Sequence, residues 1–558
     1  MNSWWLAQRM LALAGLISVA PNESGALSYS DAAKLILSLD VDEVLSETIS
    51  YLHNESLLSD APAADLQELI RLGQSSHERE LIKSIPKGIQ NLLEISGLKT
   101  QVILELYELG IETPEELLSS IKKGLFVKQT GFGSRFSKQL ESLLTHFFSK
   151  RKTLFLSSAL RLSQLLIRKL KFSPDVLDAI ITGELRRGKE VIDRIDLLVT
   201  VIHPRDEIGQ KLCEYLDLTD IELKKFGATG LFTGIEIRIY LCRPEYVGSA
   251  LAFSTGTGDH YQRLVTRATH AKKNRSGFLL IRGDEEVFYS KLKLPFIPPE
   301  IREWSDSIEQ SELIGVWNLV SKDDIRGDLH IHTNWSDGRS KLPAIVFEAE
   351  TLGLEYLAIT DHASKMVVTK GLNEPGLVRQ MNLIRHLNAL KNQVKLIPGI
   401  EFNIDLNGGV DFQTRHHMLS LAGIHTSLGE SSEQIEQRYI KIINSGLIHI
   451  IAHPTTRKLG VRMPLELDWE RVFNNCASCG VAVEFNYASD RLDPPWQIGR
   501  IAKKCGCKFT LGGDIHHVSG LRELNLGVML ARRAGLSEKD VLNCLPYEEV
   551  RLLSWRGS

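Results

Sequence analysis

Nine side chains able to hold divalent cations fall at or just beyond the ends of six of the seven short apolar runs in the last third of the chain. "GDLHIHT" closes on His330 and His332, with Asp337 a few residues on. "EYLAITDH" closes on Asp361 and His362, "KLIPGIEF" on Glu401, "MLSLAGIH" on His425 and "HIIAHP" on His453. "VAVEFNY" carries Glu484 and Asn486, and "KFTLGGDIHH" carries Asp514, His516 and His517. Eleven of the 17 histidines lie between 330 and 517. Imidazole with carboxylate suits zinc, manganese or iron. The nine candidate ligands are His330, His332, Asp337, His362, Glu401, His425, His453, Asp514 and His516. They are too many for one ion and suit two or three. Their three carboxylates would face six positive charges from three divalent ions, a surplus that attracts hydroxide and phosphate. Clustered ions deprotonate water and stabilise both the attacking and the leaving oxygen of an in-line displacement. Phosphoester hydrolysis is the chemistry this set predicts. One histidine at a strand end is usually a hydrogen-bonded core residue; the whole set, with its His-x-His and Asp-x-His pairs, argues for metal.

The elements that must position these residues are strands whose C-terminal ends converge. The apolar runs alternate with helical stretches from 326 to 540, the rhythm of a β/α barrel, where functional residues gather at the C-terminal ends of parallel strands. The chain has 558 residues, enough for three or four domains. Hydrophobic content of 43% and charged content of 24% are ordinary for a globular protein, and a net charge of -3 makes any basic surface local. Arg9 interrupts the first apolar run, which reads as an amphipathic helix and not a signal peptide. No uninterrupted apolar stretch is long enough to span a membrane, so no membrane partner and a cytoplasmic setting are expected. "CASC" (476 to 479) and "CGC" (505 to 507) lie inside predicted barrel helices and read as buried small thiols in a reducing cytoplasm, with a structural zinc site the rival reading.

A second stretch carries chemistry of another kind. "ITGELRRGKEVIDRIDLLV" (181 to 199) has a glycine turn, a basic patch and a strand with acids, the layout of a nucleotide-transfer site. Side chains on a strand alternate faces with a period of two. Asp193 and Asp196 are three apart and cannot share a face; Arg194 stands where a partner of Asp196 belongs. Two unit charges 4 Å apart interact by roughly 4 kcal/mol at an effective dielectric of 20. An arginine in place of a carboxylate therefore lowers divalent-metal affinity by several orders of magnitude. A one-residue bulge that re-aims Asp193, or an unrelated surface strand, are the rival readings.

"GDLHIHTNWSDG", "ITDH", "PGIE", "AHP" and "GGDIHH" resemble the motifs of the PHP (polymerase and histidinol phosphatase) superfamily, a distorted seven-stranded β/α barrel binding up to three metals. All nine ligand positions match that resemblance in residue type. "EFNYASDRLD" is similar to the family's sixth strand and following loop, which implies that Asn486 and Arg491 touch a phosphate; Asp361 is a further catalytic candidate. The order of parts resembles bacterial family X DNA polymerases with a C-terminal PHP exonuclease, from about 90 to 540. "GELRRGKEVIDRIDLLV" looks like their palm motif, "FSTGTGDHYQRL" their nucleotide-binding turn and "IPPEIRE" their linker. Where the family pattern has Ser this chain has Glu184, next to Arg187; Arg194 stands at the first catalytic acid, Asp196 at the second and Glu236 at the third. Magnesium is not expected at this palm. "SGLK" and "TGFG", with Gly97, Lys99, Gly131 and Gly133, are similar to helix-hairpin-helix turns, whose backbone N–H groups hold DNA phosphates without reading sequence.

The expected architecture is multidomain, α+β and α/β: a helical N-terminal domain (1–85), tandem helix-hairpin-helix units (86–150), a nucleotidyltransferase-like palm (151–300), a linker (301–325) and the barrel (326–558). The expected function is a metal-dependent DNA phosphodiesterase, a 3′–5′ exonuclease or a processor of abasic or damaged 3′ ends, with a repair role implied by the resemblance. An active polymerase with exonuclease editing, a phosphatase for small phosphomonoesters and a binding scaffold are the alternatives.

Overall fold

The computed structural model describes residues 3–20, 24–39, 44–72, 75–93, 95, 98, 100–124, 137, 140, 141, 144, 152–268, 279–363, 371–390, 394–410, 412 and 417–553. The chain divides into two compact units, residues 1–152 with 460–462, and residues 153–459 with 463–558.

The first unit is helical. Its first helix, Ser3–Val19, buries Leu6, Met10, Leu13 and Ile17, a spacing of three to four that puts them on one face. The helix Pro114–Lys122 starts with a capping box: the Thr113 hydroxyl accepts from the Glu116 amide at 3.2 Å, and Glu116 accepts from the Thr113 amide at 3.1 Å. Helices Lys87–Leu93 and Thr100–Glu108 flank the first expected hairpin turn. Gly97, Lys99, Gly131 and Gly133 lie outside the described residues. Among the described residues no helix is long and apolar enough to cross a membrane.

The second unit contains two principal sheets. Numbering strands in chain order, β1 (Leu154–Phe155) pairs antiparallel with β3 (Val191–Ile192). A five-stranded sheet runs β2 (Asp178–Thr182), β4 (Arg194–Thr200), β7 (Ile235–Cys242), β6 (Gly227–Phe232), β5 (Thr219–Lys224). Its central pair is parallel, with Arg194 opposite Glu236 and Asp196 opposite Arg238. The Pro-rich stretch after it is a packed element: Trp304 stacks on Trp496 at 6.2 Å, and Arg302, buried, donates to Glu285 at 2.6 Å.

The second sheet holds seven parallel strands in sequence order: β8 (Gly327–Ile331), β9 (Tyr356–Ile359), β10 (Lys395–Asn403), β11 (Leu419–Gly423), β12 (Ile450–Ile451), β13 (Ala482–Asn486) and β14 (Phe509–Gly512). The edges meet: the His332 amide donates to the Ile515 carbonyl at 2.9 Å, so the sheet nearly closes into a barrel. Among the described residues a helix follows every strand except β10. Every residue of β8, β9, β13 and β14 is buried, as expected of parallel strands covered on both faces.

Candidate functional site

The strands of the barrel all run the same way, so each delivers its last residues to one mouth. Glu401, on β10, is the hub. Its Oε1 lies 3.1 Å from His425 Nε2 and 3.1 Å from His453 Nε2. Its Oε2 lies 3.3 Å from the Nε2 of both His330 and His332, and 3.1 Å from His362 Nδ1. Asp514 Oδ1 is 3.2 Å from His332 Nε2. Asp337 Oδ2 is 3.2 Å from His516 Nε2 and 3.6 Å from His362 Nε2. Three overlapping groups have ligand atoms within 4.8 Å of one another: His332, Asp337, His362 and His516; His330, His332 and Asp514; His362, Glu401 and His425. His453 joins them through Glu401. The nine residues expected at one mouth are thus together, from six strand ends.

These residues fit cations. His332 Nδ1, His362 Nδ1, His425 Nδ1, His453 Nδ1 and Glu401 Oε2 are all buried with no hydrogen-bond partner. A buried polar atom left unpaired costs about 1–3 kcal/mol, and five in one cluster are what a set of metal donors looks like. The charges point the same way. Burial opposes the charged form of His330, but Glu484, Glu401 and Asp514 outweigh it and hold the ring well above its ordinary value. His332 is lifted to about 10, because the nearby Asp514 and Glu401 carboxylates, at 3.2 and 3.3 Å, overcome burial. Burial drives His362 down to about 4 and His453 to about 3. Glu401 is held well below the carboxylate range because His362, His330 and His425 outweigh its burial. Arg491 and His330 do the same for Asp514. The cluster is an acidic hub that demands positive charge.

A second layer orients the donors. His330 Nδ1 donates to Glu484 at 2.6 Å, which aims its Nε2 lone pair at the hub. The other Glu484 oxygen accepts from the His453 amide at 2.6 Å. Glu484 was visible as a strand-end acid, but its place behind His330 needed the neighbouring strand. Asp328 and Asp493 were missed: Asp328 accepts from the His330 and Gly513 amides at 2.8 and 3.1 Å, and Asp493 from the Thr455 and Arg457 amides at 2.9 and 2.8 Å. Asp328 follows a two-residue alternation with His330; nothing local marks Asp493. His453 and Asp514 have φ of 29° and 50°, backbone strain held where chain and site meet.

Of the three catalytic candidates, Arg491 stands beside the cluster, its Nε 3.1 Å from Asp514 Oδ2. Asn486 is fully buried and donates to Glu484 at 3.2 Å. Asp361 is also buried, and its carboxylate accepts from the Thr333 amide, Thr333 and Ser336 hydroxyls and the Gln380 amide nitrogen. It braces the loop after β8.

The palm-like site is built differently. Arg194 and Asp196 share one face of β4. Arg194 donates to both Asp196 oxygens, at 2.7 and 3.2 Å, and lies 3.9 Å from Glu236 Oε1. Arg238 adds a second cation 3.7 Å from Glu236. Gly183, at φ +64°, lets the turn pass so close that a Cβ would sit 2.2 Å from Asp196 Oδ2. Asp193 precedes the strand and faces Lys189 at 3.6 Å, with its side chain 56% exposed. Glu184 accepts from Lys189 at 2.5 Å. Arg187 donates to Glu303 at 2.9 Å and to the Thr255 carbonyl at 2.7 Å.

Likenesses to known proteins span both halves of the chain. Residues 328–449 match the PHP domain family. The chain is 27% identical over 509 residues, 87% of its own length and 88% of the other's, to the DNA polymerase/3′-5′ exonuclease PolX of Bacillus subtilis (strain 168). Probable phosphatases of Aliivibrio fischeri (strain MJ11) and Vibrio parahaemolyticus are 27% and 26% identical over 42% of the chain, 94% and 95% of their own lengths.

Proposed function

We propose that this chain, a relative of bacterial family X polymerases with a C-terminal PHP domain, is a metal-dependent phosphodiesterase acting on DNA, a 3′–5′ exonuclease or a processor of abasic or damaged 3′ ends. The observation that carries this reading is Glu401, a buried carboxylate with imidazoles of five strand-end histidines within 3.3 Å.

His330, His332, Asp337, His362, Glu401, His425, His453, Asp514 and His516 hold two or three divalent ions in this reading. Those ions supply Lewis acidity at the phosphoryl oxygens and make water nucleophilic at neutral pH. The protein's own groups do the rest. Arg491, at the rim beside Asp514, binds a non-bridging phosphate oxygen. Glu484 keeps His330 in the tautomer that presents Nε2. Asp361 fixes the loop carrying Asp337. The helix-hairpin-helix and palm-like parts hold the DNA backbone, and repair of damaged ends in the cytoplasm follows from the family likeness.

The palm itself does not transfer nucleotides in this reading. Its Asp196 is bonded to a guanidinium through both oxygens, so a divalent ion there would meet a fixed positive charge. Metal analysis of the full chain with a nuclease assay on 5′-labelled single-stranded DNA tests the first claim: bound manganese, zinc or iron and stepwise shortening from the 3′ end are expected. A metal-loaded protein that leaves DNA intact sinks it. Primer extension with Mg²⁺ or Mn²⁺ tests the second, and sustained dNTP incorporation would restore the polymerase reading. The likeness of the barrel to probable phosphatases supports a second reading, hydrolysis of small phosphomonoesters; faster turnover of histidinol phosphate than of DNA would favour it.

A further inference from the structure

The run Arg187-Gly188-Lys189-Glu190 belongs by type to nucleotide handling, yet its contacts lead to the barrel. Both segments lie in the same compact unit. Glu190 Oε2 accepts from Arg533 at 2.7 Å, and its Oε1 lies 3.2 Å from Arg457 Nη2. Arg533, with 1% of its side chain exposed, also donates to the Gly188 carbonyl at 2.9 Å and to Glu303 at 2.6 Å, and Glu303 in turn accepts from Arg187. Arg457 follows His453 by four residues. Its Nε donates to the Arg491 carbonyl at 3.0 Å, its Nη2 to the Leu492 carbonyl, and its amide to Asp493 at 2.8 Å. Arg457 is therefore the pin that fixes the loop carrying Arg491, and Glu190 fixes the pin.

We infer that Glu190, from the palm-like motif, is a positioning residue for the phosphate-binding Arg491 of the barrel. The inference rests on the proposed phosphoesterase reading for Arg491's role, and on geometry alone for the chain Glu190, Arg457, Arg491. A buried arginine that loses its carboxylate is left with an uncompensated charge and moves to find another. Arg457 then releases two carbonyls of the 488–493 loop, and Arg491 no longer faces the cluster at a fixed angle. Substrate and transition state lose the same contact, which raises KM and spares kcat. In this account the palm-like motif buttresses the loop that carries Arg491.

The test uses the full chain loaded with Mn²⁺, with bis-p-nitrophenyl phosphate as a small diester and inorganic phosphate as the binding probe. Glu190→Gln is expected to raise both KM and the phosphate dissociation constant about tenfold, at unchanged metal content. Arg491→Ala alone gives the same increase, and Glu190→Gln added to it gives nothing more. Unchanged phosphate affinity, additive effects in the double variant, or loss of metal in Glu190→Gln overturns the inference. Arg457→Lys, which cannot span Glu190 and two carbonyls with one ammonium, serves if Glu190→Gln does not fold. Phosphate affinity by calorimetry needs no turnover: a wild-type protein that binds phosphate without cleaving the diester refutes the functional reading, while the variants still decide the positioning one. A wild-type protein that does neither refutes both.

Discussion

Glu401 holds the cluster together, because one carboxylate touches five imidazoles. Glu401→Gln keeps the shape and removes the charge; metal content measured by atomic emission is expected to drop by at least one ion per chain, with hydrolysis near background. Glu484→Ala, which removes the carboxylate that accepts from His330 Nδ1, is expected to cost about 10–100-fold in metal affinity with the ligands still present. On the other sheet, Arg194→Ala leaves Asp196 buried without its partner, and chemical denaturation should show a loss of about 3 kcal/mol or more. His260 supplies a pH test away from any metal. It is 1% exposed, bonded to Ser307 and Tyr289 at 3.1 Å each, and burial pushes it down to about 3. The unfolded chain binds a proton there below the ordinary value of 6.5 and the native chain does not. Its contribution is intact above that value and is lost as pH falls from there towards 3, at up to about 1.4 kcal/mol per pH unit. His260→Asn should flatten the pH dependence of the denaturation midpoint as pH falls from 6.5 towards 4, by up to one proton; an unaltered slope would refute the assignment.

Elements matter here through how closely they approach. A Cβ on Gly512 of β14 would lie 2.1 Å from Glu484 Oε1 and 2.6 Å from His330 Cβ, and one on Gly423 of β11 would lie 2.5 Å from His453 Cε1. Both positions are occupied by the site's own side chains, so Gly512→Ala and Gly423→Ala are expected to weaken metal binding while far-ultraviolet circular dichroism stays native. Retained stoichiometric metal in Gly512→Ala would show that the strand can give way. The same closeness explains β4 and β7: with Arg194 opposite Glu236 and Asp196 opposite Arg238, two basic and two acidic groups face each other on one surface. The alternation of side chains along a strand, legible in the sequence, put Arg194 and Asp196 on one face; it said nothing of Arg238.

Ions bound only by the native barrel stabilise it by mass action, about 2.7 kcal/mol at a hundred times the dissociation constant. Calorimetry with and without chelator is expected to lower the barrel's transition; an unmoved thermogram would show that the barrel holds no ion. The seven strand runs, their order and the nine candidate ligands were legible because each run carries its own signal: an apolar stretch ending on a histidine or an acid. Parallel strands then send every such end to one side, which is a consequence of topology alone. Glu401 as hub, Glu484 behind His330, Asp493 under Thr455, and Glu190 reaching Arg457 across 267 positions were decided only by tertiary structure. Those links join residues with no shared period and no local pattern, and packing alone brings them within reach of a hydrogen bond.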